Sequence, residues 1–205
     1  MAKLYDYWRS SASYRVRIAL GLAELDYDTE VVNLLEGQHL KDSHLARNPQ
    51  GLVPALDIDG YTMTQSLAII QYLDETLKLG LLPNLPIERA QVRALSYAIA
   101  MEIHPVCNLH VVDYAVSESG GQIDKEQWMQ HFIDKGLRAY EAMIGDGTYS
   151  YGDTVTLADI CLVPQLYNAD RWGVDLTDMP KIRRARAALE AIPAFANAHP
   201  DKCNR

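Results

Sequence analysis

Along the first 80 residues, apolar and polar positions follow two alternating periods. Tyr5 and Tyr7 fall on one face of a strand predicted over Lys3–Tyr7, whereas Val16, Ala19, Leu20 and Ala23 keep the i, i+3, i+4, i+7 spacing of an amphipathic helix over about Ser11–Leu22. A second strand is predicted at about Tyr27–Val32 and a short helix around Leu40–Ala46. Strands at Ala55–Ile58 and Tyr61–Thr64 flank Asp59-Gly60, a strong hairpin signal, and a helix follows at about Ser66–Thr76. Strands alternating with helices imply βαβ units and a sheet covered by helices, hence an α/β domain.

The grammar then changes. Leu79-Gly80-Leu81-Leu82-Pro83-Asn84-Leu85-Pro86 carries two prolines and a glycine, which stop helix propagation. Beyond it only helical patterns remain: about Pro86–Tyr114, which Pro105 should kink or interrupt, then Lys125–Ile144, Leu157–Trp172, Pro180–Ala191 and a short one near Phe195. Thr156-Leu157-Ala158-Asp159 has the form of a capping box opening the third of these. The division expected is 1–80 for the α/β domain, 81–87 for a linker and 88–205 for an all-helical domain.

Composition narrows the function classes. The chain has 205 residues, 48% of them hydrophobic and 22% charged, with no run long and apolar enough to suggest a membrane span. A net charge of −8 argues against non-specific binding to nucleic acid or anionic membrane, though a local basic pocket is compatible with it. No signal peptide is evident at the N-terminus. The three scattered cysteines, Cys107, Cys161 and Cys203, form neither a disulfide framework nor a metal-ligand spacing, so a reducing cytoplasm is the simplest compartment.

Four segments hold candidate chemistry. Ser10, Ser11 and Ser13 precede the first helix, whose N-terminus favours an anion such as a thiolate or carboxylate, and Arg9 and Arg15 add full charges nearby. Taken alone, most such turns are only ordinary capped helices. Val53-Pro54 stands at the start of a strand; a cis bond there would expose the Val53 backbone to a peptide-like ligand, but X–Pro bonds are cis in only about 5–6% of cases, which favours trans. Gln65-Ser66 precedes an apolar run, with Ser66 suited to an N-cap. His104, Asn108 and His110 concentrate polarity in an apolar stretch, with His104 and Asn108 on one helix face if Pro105 leaves the helix continuous. No metal site is expected from them, and Arg171 near a helix C-terminus is explained by the dipole alone.

Taken together these segments resemble the zeta class of the glutathione transferase superfamily, which includes glutathione-dependent maleylacetoacetate isomerases and the related maleylpyruvate isomerases. The resemblance runs along nearly the whole chain: Trp8-Arg9-Ser10-Ser11, Arg15-Val16-Arg17-Ile18-Ala19-Leu20, Asn48-Pro49-Gln50-Gly51-Leu52-Val53-Pro54-Ala55-Leu56, Gln65-Ser66-Leu67-Ala68-Ile69-Ile70, Gly152-Asp153-Thr154-Val155-Thr156-Leu157-Ala158-Asp159 and Leu162-Val163-Pro164-Gln165. It implies a thioredoxin-like first domain with a cis Pro54, a helical second domain and a homodimer. Glutathione is the implied cofactor: Val53 would pair with its cysteinyl backbone, Gln65 and Ser66 would hold the γ-glutamyl carboxylate, His39 would contact the glycyl end, Ser10 and Ser11 would sit at the sulfur, and His104, Asn108 and His110 would reach the site from the helical domain.

The implied reaction converts a maleyl diketo-acid, a dianionic dicarboxylate, to its fumaryl isomer in aromatic catabolism. Arg9 and Arg171 are then the candidates for the substrate carboxylates, helped by Arg15 and His104, with Ser10, Ser11 and Arg9 as the catalytic set. The chain departs from the family at Ala12, where many members have cysteine, so the reacting thiol must come from the cofactor. It departs again at His110, where the maleylpyruvate branch carries an arginine; a neutral imidazole holds a carboxylate more weakly than a guanidinium fork. The alternatives are conjugation or dehalogenation of small electrophilic acids by the same thiolate, or a non-catalytic binding protein of this fold. A disulfide reductase is disfavoured, since residues 1–106 contain no cysteine.

Overall fold

The structure, a computed structural model, describes residues 1–204. The described residues divide into two compact units, 1–80 with 191–204, and 81–190.

In the first unit β1 (Ala2–Asp6), β2 (Tyr27–Val31), β3 (Ala55–Ile58) and β4 (Tyr61–Thr64) form one sheet in the order β2-β1-β3-β4. β1 and β2 run parallel, while β3 and β4 form the antiparallel hairpin that Asp59-Gly60 predicted. Helix α1 (Ser11–Leu22) packs against α3 (Ser66–Leu77), and a short α2 (Asp42–Leu45) follows two single-turn 3₁₀ segments at Leu34–Glu36 and Gln38–Leu40. Periodicity correctly placed Val16, Ala19 and Leu20 in the core, yet Arg15 and Arg17 are buried as well, so α1 is enclosed on nearly all sides. Each Arg17 nitrogen has a partner: Nη1 donates to Oδ1 and Oδ2 of Asp6 at 2.7 and 2.9 Å, Nη2 to the Trp8 carbonyl at 2.9 Å and Nε to the Ala198 carbonyl at 3.2 Å. A buried pair needs such additional hydrogen bonds to offset its desolvation.

The C-terminal residues correct the expected division. α9 (Pro193–Asn197) lies on α1, close enough that a Cβ on Gly21 would sit 3.3 Å from Ala194, and Tyr14 donates to the Phe195 carbonyl at 3.4 Å. Residues 191–204 therefore complete the first unit instead of extending the helical one.

The second unit contains α4 (Pro86–Tyr97), α5 (Leu109–Glu118), α6 (Lys125–Met143), α7 (Leu157–Arg171) and α8 (Pro180–Glu190). The expected linker is structured from its first residues: Leu81 and Leu82 are buried and the Leu81 carbonyl accepts from Leu157 N–H at 2.9 Å. The predicted helix over Pro86–Tyr114 is two helices. α4 widens into a π-helical segment at Ala98–Ile103, the chain breaks around Pro105, and α5 starts afresh. The Thr156–Asp159 capping box opens α7 as its sequence indicated.

Candidate active site

Strand register gathers the candidate residues of the first unit. Tyr5 pairs with Ala55 and Ala55 with Thr64, while Asp6 pairs with Val31. The segments entering or leaving these positions, Tyr7–Ser11, Val32 onward, Val53-Pro54 and Gln65-Ser66, therefore emerge at one end of the sheet. Tyr5, Tyr7, Val32, Val53 and Ala55 form a buried cluster there, with Trp8 and Leu34 against it.

Ser10 is the N-cap of α1, its Oγ accepting from Ser13 N–H at 3.2 Å, and Ser11 is the buried first residue. The first turn of α1 contains no acidic side chain, so nothing in it neutralises the positive end of the dipole. Arg9 is half-buried; its guanidinium lies 4.9 Å from the Trp8 ring centroid and 5.9 Å from that of Tyr7, and it donates to the Tyr7 hydroxyl at 3.1 Å. Those aromatic faces hold the cation in place.

The Val53–Pro54 bond is cis, as the family resemblance implied and the general frequency of such bonds did not. Val53 lies outside the β1–β3 ladder. His39 is half-buried in the second 3₁₀ turn, and a Cβ on Gly51 (φ +62°) would stand 3.4 Å from the His39 carbonyl, so this turn rests on the loop leading to Pro54.

At α3 the expectation needs correction. Ser66 is the first helical residue and Gln65 is the N-cap, with φ 69° and ψ 109°. Such a backbone conformation costs a non-glycine residue on the order of 1–3 kcal/mol. Gln65 Nε2 donates to Gln50 Oε1 at 2.7 Å, joining two motifs far apart in sequence. Arg15 is 2% exposed, and its Nη1 donates to Ser66 Oγ at 3.4 Å. Its burial at the start of α3 argues against the expected role at a substrate carboxylate.

The second unit supplies the other candidates. His104 ends the π-helical segment and Asn108 is the N-cap of α5, so the break at Pro105 takes them off the common helix face that a continuous helix would have provided. Asn108 Oδ1 pairs with His110 Nδ1 at 3.0 Å. Trp128 Nε1 donates to the Val106 carbonyl at 3.0 Å, tying this segment to α6. Burial pushes the Cys107 thiol up to about 11. Arg171, the last residue of α7, is exposed, donates to Asn168 Oδ1 at 3.2 Å and lies 5.9 Å from the ring centroids of both Tyr167 and Trp172. No cluster of three or more potential metal ligands occurs among the described residues.

Sequence reading missed Gln50, the approach of Arg15 to Ser66, and the convergence of His44 and Asn48 on the Leu52 carbonyl. Asn48 and Gln50 lay inside a recognised motif, while His44 carried no signal beyond being a histidine near it.

Residues 1–75 match the family of glutathione S-transferase N-terminal domains, and residues 125–191 match that of the C-terminal domains. A maleylacetoacetate isomerase of Rhizobium meliloti is 56% identical over 204 residues, covering 97% of this chain and 96% of that protein. Among solved structures, a holo maleylpyruvate isomerase, a bacterial zeta-class glutathione S-transferase, aligns with a TM-score of 0.93 at 42% identity over 98% of this chain and 97% of its own. The maleylacetoacetate isomerase of Anaeromyxobacter dehalogenans, with dicarboxyethyl glutathione and citrate in its active site, aligns with a TM-score of 0.87 at 40% identity, covering 98% and 95% of the two chains.

Proposed function

The chain belongs to the zeta class of the glutathione S-transferase family, and from that premise we propose that it is a glutathione-dependent cis–trans isomerase converting maleylacetoacetate to its fumaryl isomer. Maleylpyruvate is its second candidate substrate. The observation that carries the reading is the convergence of Ser10, Val53 and Gln65-Ser66 at one end of the sheet, set by the Tyr5–Ala55–Thr64 register.

The residues present fit glutathione. Two helix N-termini without acidic first turns, at Ser10 and Gln65, suit a thiolate and a carboxylate. Val53, outside the ladder, suits the tripeptide backbone, and His39 suits its glycyl end. Glutathione supplies a thiolate whose reversible addition to the maleyl double bond leaves a single bond free to rotate. Ser10 favours that anion: its Oγ accepts from Ser13 N–H, so its own proton remains to donate to sulfur. Ser11, at the first turn, adds a helix N–H. Arg9, fixed on Trp8 and Tyr7, offers a guanidinium fork to a substrate carboxylate and a fixed positive charge for oxygen that gains negative charge. Arg171, His104, Asn108 and His110 are the helical unit's candidates for the remaining contacts.

Turnover of maleylacetoacetate and of maleylpyruvate, each with and without glutathione, tests this. Isomerisation should require glutathione and leave its free thiol undiminished. Equal rates without it would overturn the mechanism, and stoichiometric thiol loss would assign conjugation. We further place the chain as a homodimer in the cytoplasm, acting in the breakdown of tyrosine and related aromatic acids.

A further inference from the structure

We infer that Arg15 is a positioning residue for the γ-glutamyl carboxylate of glutathione, acting through Ser66 and through the charge it places at the start of α3. The inference rests on the proposed reading that Gln65 and Ser66 hold that carboxylate.

A serine hydroxyl has one proton to donate and two lone pairs to offer. Arg15 Nη1 donates to Ser66 Oγ, which occupies a lone pair and leaves the hydroxyl proton to point away from the guanidinium. A carboxylate at the helix start is the acceptor that uses this proton. Without Arg15 the hydroxyl is free to turn and act as an acceptor itself.

Electrostatics points the same way. A guanidinium stays charged at any physiological pH. Arg15 brings that charge, only 2% exposed, to the N-terminal end of α3, where the helix dipole is also positive. The first turn of α3 holds no acidic residue to neutralise that end. An anion seated at Ser66 is stabilised by both positive features at once. Covalent geometry adds a further link: Arg15 and the N-cap Ser10 belong to the same helix, so α1 joins the contact at the sulfur to the support of the carboxylate.

Calorimetric binding tests this with two ligands, glutathione and the analogue lacking only the γ-glutamyl α-carboxylate (4-aminobutyryl-cysteinylglycine). The wild-type protein should bind the analogue about 10–100-fold more weakly, the range expected for hydrogen bonds to a charged group. Arg15→Met should weaken glutathione binding by about the same 10–100-fold and analogue binding by less than about 2-fold. Arg15→Lys should restore part of the discrimination, and Arg15→Met combined with Ser66→Ala should cost less than the sum of the two. Equal weakening of both ligands in Arg15→Met, or full discrimination retained by it, overturns the Arg15 role alone. Equal binding of both ligands by the wild-type protein overturns the reading of Gln65 and Ser66 beneath it. If Arg15→Met does not fold, Arg15→Lys decides: it must show a loss confined to glutathione, and unchanged or uniformly reduced binding counts against the role.

Discussion

His44 donates from Nε2 to the carbonyl of Leu52 at 2.9 Å, and Asn48 Nδ2 reaches the same oxygen at 2.8 Å. A carbonyl only accepts, so the proton of His44 sits on Nε2. Both lone pairs of Leu52 are thereby used immediately before the cis Val53–Pro54 turn. Asn48 also accepts from Gln50 N–H at 3.1 Å, closing its loop, and Gln50 in turn meets Gln65. The segment presenting Val53 is thus held from behind by two buried side chains that touch nothing reactive.

Removing either donor leaves the Leu52 carbonyl one partner, and removing both leaves a buried acceptor with none from these side chains. His44→Ala and Asn48→Ala should each cost about 0.5–1.5 kcal/mol of stability beyond packing losses, and the double variant more than their sum. Glutathione affinity should fall in the same order. Denaturant unfolding and calorimetric titration measure the two effects; strict additivity would show that the donors act independently.

Gly136 on α6 faces Ile103 at the end of the π-helical segment. A Cβ there would overlap the Ile103 Cγ1 and Cδ1 atoms, and Ile103 is 2% exposed, with little space to withdraw into. Gly136→Ala should destabilise the protein by about 1–3 kcal/mol despite the better helix propensity of alanine. Ile103→Val removes the Cδ1 atom, so it should recover part of that loss in the Gly136→Ala background. Thermal unfolding of the three variants checks both signs.

The residues that were legible in sequence and those that were not differ in physical kind. Local chemistry was readable: Asp59-Gly60 fixed a hairpin, Thr156 and Asp159 a capping box, and Val16, Ala19 and Leu20 a core face. The candidate site's anchor points were readable too, because Ser10, Val53-Pro54 and Gln65-Ser66 are short local motifs. What stayed hidden depends on distant partners. Arg15 read as a charge beside the first turn, and Arg17 as one more residue of its motif, until Ser66 and Asp6 are placed beside them. Residues 191–204 read as more helix, and contacts distant in sequence, Ala194 against Gly21 and the Phe195 and Ala198 carbonyls accepting from Tyr14 and Arg17, assign them to the first unit. Gln65 at φ 69° is a backbone cost that no propensity forecasts.

Asp153 supplies a pH dependence. Its carboxyl is held below the ordinary value of 3.8 by hydrogen bonds from Thr148 N–H at 2.8 Å and Thr148 Oγ1 at 2.7 Å. Because the folded value lies below the unfolded one, the stabilisation is fully present above about pH 4 and is lost as pH falls through the folded value. Asp153→Asn should therefore show a shallower fall in melting temperature between about pH 4 and 2 than the wild-type protein. Parallel acid limbs would remove Asp153 from the account.

Cys107 lies between His104 and Asn108, two candidates for contact with the cofactor, and so is the protein thiol most open to suspicion as a nucleophile. Burial pushes it to about 11, which leaves it almost wholly protonated near neutrality, and the thiolate is the reactive form. The first unit offers no rival near Ser10, where Ala12 stands. Cys107→Ala should retain isomerase activity to within about 3-fold, its cost confined to packing. Iodoacetamide should label Cys107 slowly at pH 7 and progressively faster toward pH 11, as mass spectrometry of the labelled peptides would record. Loss of activity at pH 7 in step with Cys107 labelling, and absent from Cys107→Ala, would instead assign the chemistry a protein thiol.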